Sequence, residues 1–173
     1  DLFGKLENKS FSGINQLENK TLAESSITIS IAEIDEQIRK IENSSWNKFK
    51  VKCNGFNLKN TEKLLNLNRN IALDANASFT KEDCLFIQET SGFQKLMYIE
   101  QPLEIGNFGI LKNGNSVNWM ADEDCQDITF LEKLKPHYSS INIKLMKCGG
   151  LTPALEMITE AKKLGYKIML GCM

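Results

Sequence analysis

A single histidine, His137, is all that the 173 residues contain. A Ser-His-Asp or Cys-His nucleophilic mechanism would therefore rest on that one side chain. It stands in the turn Lys135-Pro136-His137-Tyr138, which enters an apolar run, and reads as structural. Charge of one sign is equally scarce: 21 basic residues stand against 22 acidic ones, a net charge of −1. That balance gives nucleic acid or an anionic membrane nothing to hold. No apolar run approaches the roughly 20 residues that span a bilayer. Cys53, Cys84, Cys125, Cys148 and Cys172 include no C-x-x-C pair, and their wide spacing excludes a zinc site or a small disulfide framework. They read as buried, reduced thiols of a cytoplasmic protein. A signal peptide is also lacking, and the first residue is Asp1 rather than Met, so further N-terminal sequence is expected to precede it.

What is present is a composition of 42% hydrophobic and 25% charged residues, that of a folded domain with a buried core. Short β-branched or aliphatic runs at 27–31, 48–53, 71–74, 96–100, 117–122, 141–145 and 167–170 have the character of strands buried on both faces. Amphipathic stretches lie between them. Residues 32–43 place Ile34, Ile38 and Ile41 on one stripe, and 58–67 follow the same rule. A third helix is expected from the Thr80 cap to Gly92, and a fourth over 125–134. The last spans 153–164, with Thr152 as cap, Pro153 at its first position and Gly165 past its end. Strand and helix repeating six times, with a seventh strand to finish, requires parallel strands joined by helical crossovers.

The short, even repeat favours an α/β fold of the closed (β/α)₈ barrel kind over an open doubly wound sheet. The open sheet would place a glycine-rich phosphate loop after an early strand, and none occurs. A typical barrel takes about 250 residues, so the chain reads as a partial TIM barrel covering strands one to seven. An eighth strand is expected beyond Met173. Residues 1–22 do not fit the repeat and are expected to be the end of a preceding domain and a linker; 23–173 would be the barrel.

Barrel chemistry gathers at the C-terminal ends of strands. Those ends carry Lys50 and Lys52, Asp74, Glu100, Asp122 and Lys144, one functional charge every 22 to 26 residues from Lys52 onward. Singly, each has a plain explanation, since a strand-end lysine is commonly solvated and an aspartate there commonly caps the next helix. Jointly, three carboxylates converging on one mouth would repel unless a cation lay among them. All-oxygen ligation is what Mg²⁺ prefers. Strands two and six lie opposite one another in an eight-stranded barrel, so Lys52 and Lys144 would face each other across the metal. A lysine among other cations loses basicity from about 10.4 towards neutrality, as a general base requires. One lysine could then remove a proton beside a carboxylate, giving an enediolate, and the other return it with inversion.

The segments Lys50-Val-Lys52, Leu73-Asp74-Ala-Asn76, Ile99-Glu100-Gln-Pro102, Ala121-Asp122-Glu123 and Ile143-Lys144-Leu-Met-Lys147-Cys-Gly-Gly150 resemble the enolase superfamily, muconate-lactonizing subgroup. Within it the likeness is to dipeptide epimerases of the alanyl-glutamate type, and it extends over essentially the whole chain. The resemblance implies Mg²⁺ on Asp74, Glu100 and Asp122, with Lys52 and Lys144 as the acid/base pair. It implies that Lys50 helps hold the substrate carboxylate and that Thr28 stands at a substrate-side position. Asn76 and Glu123 match positions that support the ligands from behind, while Lys147 reads as a structural ion pair.

This chain departs from the pattern in two places. Cys53-Asn54 precede Gly55 where a glycine usually follows the second lysine, and Asp124 stands where a serine is common. The resemblance implies that most of the N-terminal capping domain and the eighth strand, which select substrate in such enzymes, are to be expected outside this sequence. The isolated barrel portion is therefore expected to be inactive. The expected partner is a small dipeptide or related carboxylate, and homo-oligomerisation of the full-length protein is left open. The same lysines and metal would also serve a muconate-type cycloisomerase, an o-succinylbenzoate synthase or an N-acylamino acid racemase. An inactive truncated barrel and a phosphate-binding barrel enzyme are the remaining alternatives.

Overall fold

The computed structural model describes residues 2–14, 23–114 and 117–172. Most of the expected linker, residues 15–22, and the terminal residues Asp1 and Met173 lie outside these. Two short helices, α1 (Leu2–Leu6) and α2 (Phe11–Ile14), come first. The remaining elements in chain order are β1 (Ile27–Ile29), α3 (Ile34–Glu42), β2 (Lys48–Lys52), α4 (Leu58–Leu65), β3 (Asn70–Asp74) and α5 (Lys81–Glu89). Then follow β4 (Ile99–Glu100), β5 (Trp119–Ala121), α6 (Leu131–Leu134), β6 (Ser140–Lys144), α7 (Leu145–Cys148), α8 (Leu151–Lys163) and β7 (Lys167–Gly171). All seven strands are parallel and lie in sequence order.

The period of two along each strand sorts side chains to two sides of the sheet. Phe49 and Val51, Ile71 and Leu73, Ile99, Trp119, Ala121, Ile141 and Ile143 face the helices. There they pack with Ile41, Leu64, Ile87, Leu131 and Met157 in one continuous core. The opposite face forms the barrel interior, where a small apolar layer of Ala72, Tyr98 and Met120 is joined by Met169. Because Lys50, Lys52, Asp74, Glu100, Asn142 and Lys144 share that parity, the same rule that buries the aliphatics turns the charges inward.

β1 and β7 are the edges of the sheet. Along the gap between residues 23–26 and β7 runs a cavity of about 820 Å³, lined in part by Ser26, Tyr98, Met120, Ser140 and Met169.

Three expected features differ. First, the strand–helix repeat breaks between β4 and β5, where the described residues form only a 3₁₀ turn, Phe108–Ile110. Pro102, Gly106, Gly109 and Gly114 interrupt helix formation there, although Leu103, Phe108 and Leu111 are still buried.

Second, α8 begins at Leu151 with Gly150 before it, so Thr152 does not cap it. Gly149 ends α7 with φ 93° and Gly150 follows at φ 122°, a reversal few other residues could make. Pro153 therefore lies in the first turn, where its missing N–H leaves no bond unmade. Third, the helix expected over 125–134 is α6 preceded by a 3₁₀ turn, Ile128–Phe130. The Asp127 side chain accepts the Thr129 amide at 2.8 Å and holds the chain in a tight turn,.

The Thr80 cap is present as a capping box with Asp83,. Of the cysteines expected to be buried, Cys84 and Cys125 are, Cys53 and Cys148 are half-buried, and Cys172, just past the edge strand, is exposed. Burial pushes the Cys84 and Cys125 thiols up to about 12, which keeps them unreactive. His137 is structural: its Nδ1 donates to the Leu111 carbonyl at 2.8 Å, and its ring rests on Phe108.

Candidate active site

Five consecutive strands supply the charged cluster, and their register brings it to one end of the sheet. Lys52 pairs with Asp74, and Asp74 with Glu100. Asp122 follows β5 by one residue, and Lys144 is the last residue of β6. Asp74, Glu100 and Asp122 are 2%, 0% and 2% exposed. Carboxylates so deeply buried must be met by cations or hydrogen-bond donors.

Lysines meet them. Lys50 Nζ lies 3.0 Å from Glu100 Oε2 and 3.4 Å from Asp74 Oδ2, and Lys52 Nζ lies 3.2 Å from the same Asp74 oxygen. Asp122 is gripped on both oxygens, by Lys144 Nζ at 2.5 Å on Oδ2 and Lys147 Nζ at 2.7 Å on Oδ1. Lys147 also donates to the carbonyls of Asp122 and Asn142. It is an ion pair, as expected, and its partner is one of the three central carboxylates. Asn142 donates to Glu100 Oε1 at 2.7 Å.

The electrostatics separate Glu100 from Asp122. Burial raises the Glu100 carboxyl above the ordinary carboxylate range, and Lys50 offsets this only in part. At Asp122 burial acts the same way, but hydrogen bonds from Lys144 and Lys147 outweigh it and hold the carboxyl low. Burial would lower the Lys144 ammonium, yet the bond to Asp122 and its charge carry it above the usual lysine value. Lys50 behaves alike, burial being overcome by Glu100 and Asp74.

Asn76 and Glu123 adjoin one another. Asn76 Oδ1 accepts from Lys52 Nζ at 2.7 Å, while its Nδ2 reaches Glu123 Oε1 at 3.5 Å. Thr28 is exposed on β1 beside Lys50 in register.

The three carboxylates are not already gathered round one point. Among the described residues no three acidic, histidine or cysteine side chains form a ready-made metal cluster. Ammonium groups stand between them, Lys50 bridging Asp74 and Glu100, and the Lys144–Lys147 pair occupying Asp122. The donor chemistry nonetheless suits a hard divalent cation. Asp74 Oδ1 and Glu123 Oε2 are buried without a hydrogen-bond partner, a costly state that a cation would relieve.

Sequence reading passed over Asn142, although the inward parity of Ser140, Asn142 and Lys144 signals it. Gln101, whose side chain lies beneath the site, carries no such signal.

Comparison with known proteins bears on the family and the fold. Residues 33–173 match the family of enolase C-terminal domain-like proteins. The chain is 34% identical to an L-Ala-D/L-amino acid epimerase of Maribacter sp., a match covering all of this chain and 53% of that protein. It is 38% identical to the L-Ala-D/L-Glu epimerase of Escherichia coli over 60% of this chain and 32% of that protein. Among solved structures, an enolase-family member from Agrobacterium tumefaciens with homology to dipeptide epimerases, bound to sodium and L-Ala-L-Glu, superposes with a TM-score of 0.85. That match has 31% identity and covers 100% of this chain and 55% of the other. The dipeptide epimerase of Methylococcus capsulatus in complex with Mg superposes with a TM-score of 0.75 at 28% identity, covering 86% of this chain and 48% of the other. The chain thus spans about half the length of these full-coverage relatives.

Proposed function

We propose that this chain, which belongs to the enolase superfamily through its C-terminal-domain-like barrel, carries the catalytic groups of a magnesium-dependent dipeptide epimerase. The observation that supports this most is the order of charges across the sheet. Carboxylates on three adjacent strand ends are flanked on one side by Lys52 of β2 and on the other by Lys144 of β6. A row of acids bounded by two bases is what moving a proton between the two faces of one carbon requires.

Asp74, Glu100 and Asp122 would hold the metal. Bound there, Mg²⁺ would supply positive charge against the negative charge that develops on a substrate carboxylate as the neighbouring carbon loses its proton. Lys50 and the exposed Thr28 would help receive that carboxylate. Lys144, ion-paired with Asp122 at 2.5 Å, would transfer the proton on one face of the carbon. Lys52 is oriented by Asn76 and performs the opposite transfer on the other face. The relatives, an L-Ala-D/L-amino acid epimerase and an L-Ala-D/L-Glu epimerase among them, point to a small dipeptide such as Ala-Glu as the substrate class. Residues 1–22 would then close a preceding domain, with the barrel occupying 23–173.

The test is to incubate the whole protein with L-Ala-L-Glu and Mg²⁺ in D₂O. The expected result is deuterium at the α-carbon of glutamate as the second epimer appears, abolished by excess chelator. Undiminished turnover in excess chelator would overturn the reading.

A further inference from the structure

Beside the three carboxylates lies a fourth buried acid that no proposed step uses. Asp124 is 2% exposed, and hydrogen bonds rather than an ammonium group meet its charge. Gly106 N–H donates to Oδ1 at 2.7 Å, while Gln101 Nε2 and the Tyr138 hydroxyl donate to Oδ2 at 2.9 and 2.8 Å. A carboxylate can only accept, so Asp124 compels Gln101 to present its NH₂ group. The Gln101 amide is thereby fixed the other way round as well: its Oε1 accepts the main-chain N–H of Asp122 and of Asp124, each at 3.1 Å. The second Nε2 proton goes to the Leu103 carbonyl at 2.8 Å.

Gln101 is also where three strand ends are stitched together. Its N–H donates to Met120 O at 2.8 Å, and its carbonyl accepts from Ala77 N–H at 2.7 Å. The adjacent Glu100 carbonyl accepts from Ala75, the residue after Asp74, at 3.0 Å. Gln101 is held at φ 37°, a left-handed conformation that a non-glycine residue keeps only when its surroundings dictate it. The ends of β3, β4 and β5 therefore meet at the main chain of Glu100 and Gln101, while the Gln101 side-chain amide, whose orientation Asp124 sets, holds the main chain at Asp122.

We propose that Asp124 is a positioning residue: it locks the Gln101 amide and so sets the placement of Asp122, one of the three carboxylates, for a divalent cation. This rests on the reading of those carboxylates as a metal site. A merely structural tether of the β4–β5 connection would predict lost stability and nothing more. With a locked amide, disturbing Asp124 must change how Asp122 is held and how well the metal binds, even in variants that stay folded.

The experiment uses the whole protein with D124N, which is nearly isosteric but brings a second NH₂ group to a place built of donors, and with Y138F, which removes one donor and leaves the charge. Mg²⁺ affinity is measured by calorimetric titration. Hydrogen exchange at the Asp122 amide is measured in the metal-free protein, at a temperature where each variant is fully folded. The expected result is Mg²⁺ binding weakened about tenfold or more in D124N, as for other groups that orient metal ligands. Exchange at the Asp122 amide should also quicken, and Y138F should show the same changes to a smaller degree. A lowered melting temperature with Mg²⁺ affinity and Asp122 exchange both unchanged in the two variants would overturn the proposal. Should the unaltered protein bind no Mg²⁺, the metal-site reading itself fails. The exchange measurement would still decide whether Asp124 holds Asp122 through Gln101.

Discussion

Asp122 carries an unusual load for one side chain, since two half-buried lysines depend on it. In the metal-free protein D122N should leave both ammonium groups without their countercharge, and it should lower stability near pH 7 by about 1–3 kcal/mol. The pH dependence follows from the direction of the shift. The Asp122 carboxyl titrates below its ordinary value in the folded state, because bonds from Lys144 and Lys147 outweigh burial. The stabilisation is therefore complete above the unfolded value of about 3.9 and is lost as the pH falls through the lower, folded value. Urea unfolding in chelator at neutral and at strongly acid pH should show the gap between wild type and D122N narrowing in acid. An unchanged gap would mean that the ion pairs contribute nothing to folding. Asp122 itself was visible in sequence because it recurs at the same point of a βα unit as Asp74 and Glu100. Its two lysine partners were not equally visible. Lys147 reaches Asp122 only because α7 starts immediately after β6, so three residues of helix bring it back beside Lys144,.

At the level of elements, the strands were legible because their parity does two things at once, burying aliphatics outward and turning charges inward. The elements that were misjudged are those in which glycine, proline or a side-chain bond overrides the apolar pattern. The β4–β5 connection lost its helix to Pro102 and three glycines, and α8 gained its start from Gly149 and Gly150 rather than from Thr152. The Gln101–Asp124–Tyr138 network could not be read from spacing, since it joins residues of three units through a left-handed backbone. One contact between neighbouring strands is directly testable. A Cβ added at Gly171 on β7 would collide with the side-chain amide of Asn142 on β6, whose NH₂ group holds Glu100. G171A should therefore displace Asn142, cost about 1–3 kcal/mol of stability and weaken Mg²⁺ binding. Paired thermal melts with and without Mg²⁺ would show this as a smaller metal-induced rise in melting temperature than in wild type. An equal rise would show that Asn142 does not support the site.

Over the whole molecule, the parallel sheet places five charge-bearing strands side by side and leaves β1 and β7 as edges, with the cavity of about 820 Å³ running between residues 23–26 and β7. The relatives matched over the full chain are about twice as long. The charge order Lys52–Asp74–Glu100–Asp122–Lys144 belongs to this chain. Under the proposed function it carries a stereochemical claim: each lysine would serve one face of the substrate carbon. The measurement that reaches this most directly is α-proton exchange of each glutamate epimer of Ala-Glu in D₂O by the whole protein carrying Lys52→Arg or Lys144→Arg. Arginine keeps the positive charge but is too basic to take up a proton near neutral pH. The account predicts that one variant stops exchange from one epimer, that the other variant stops it from the opposite epimer, and that neither interconverts the two. An arginine variant that still interconverts the epimers at a near-normal rate would contradict it.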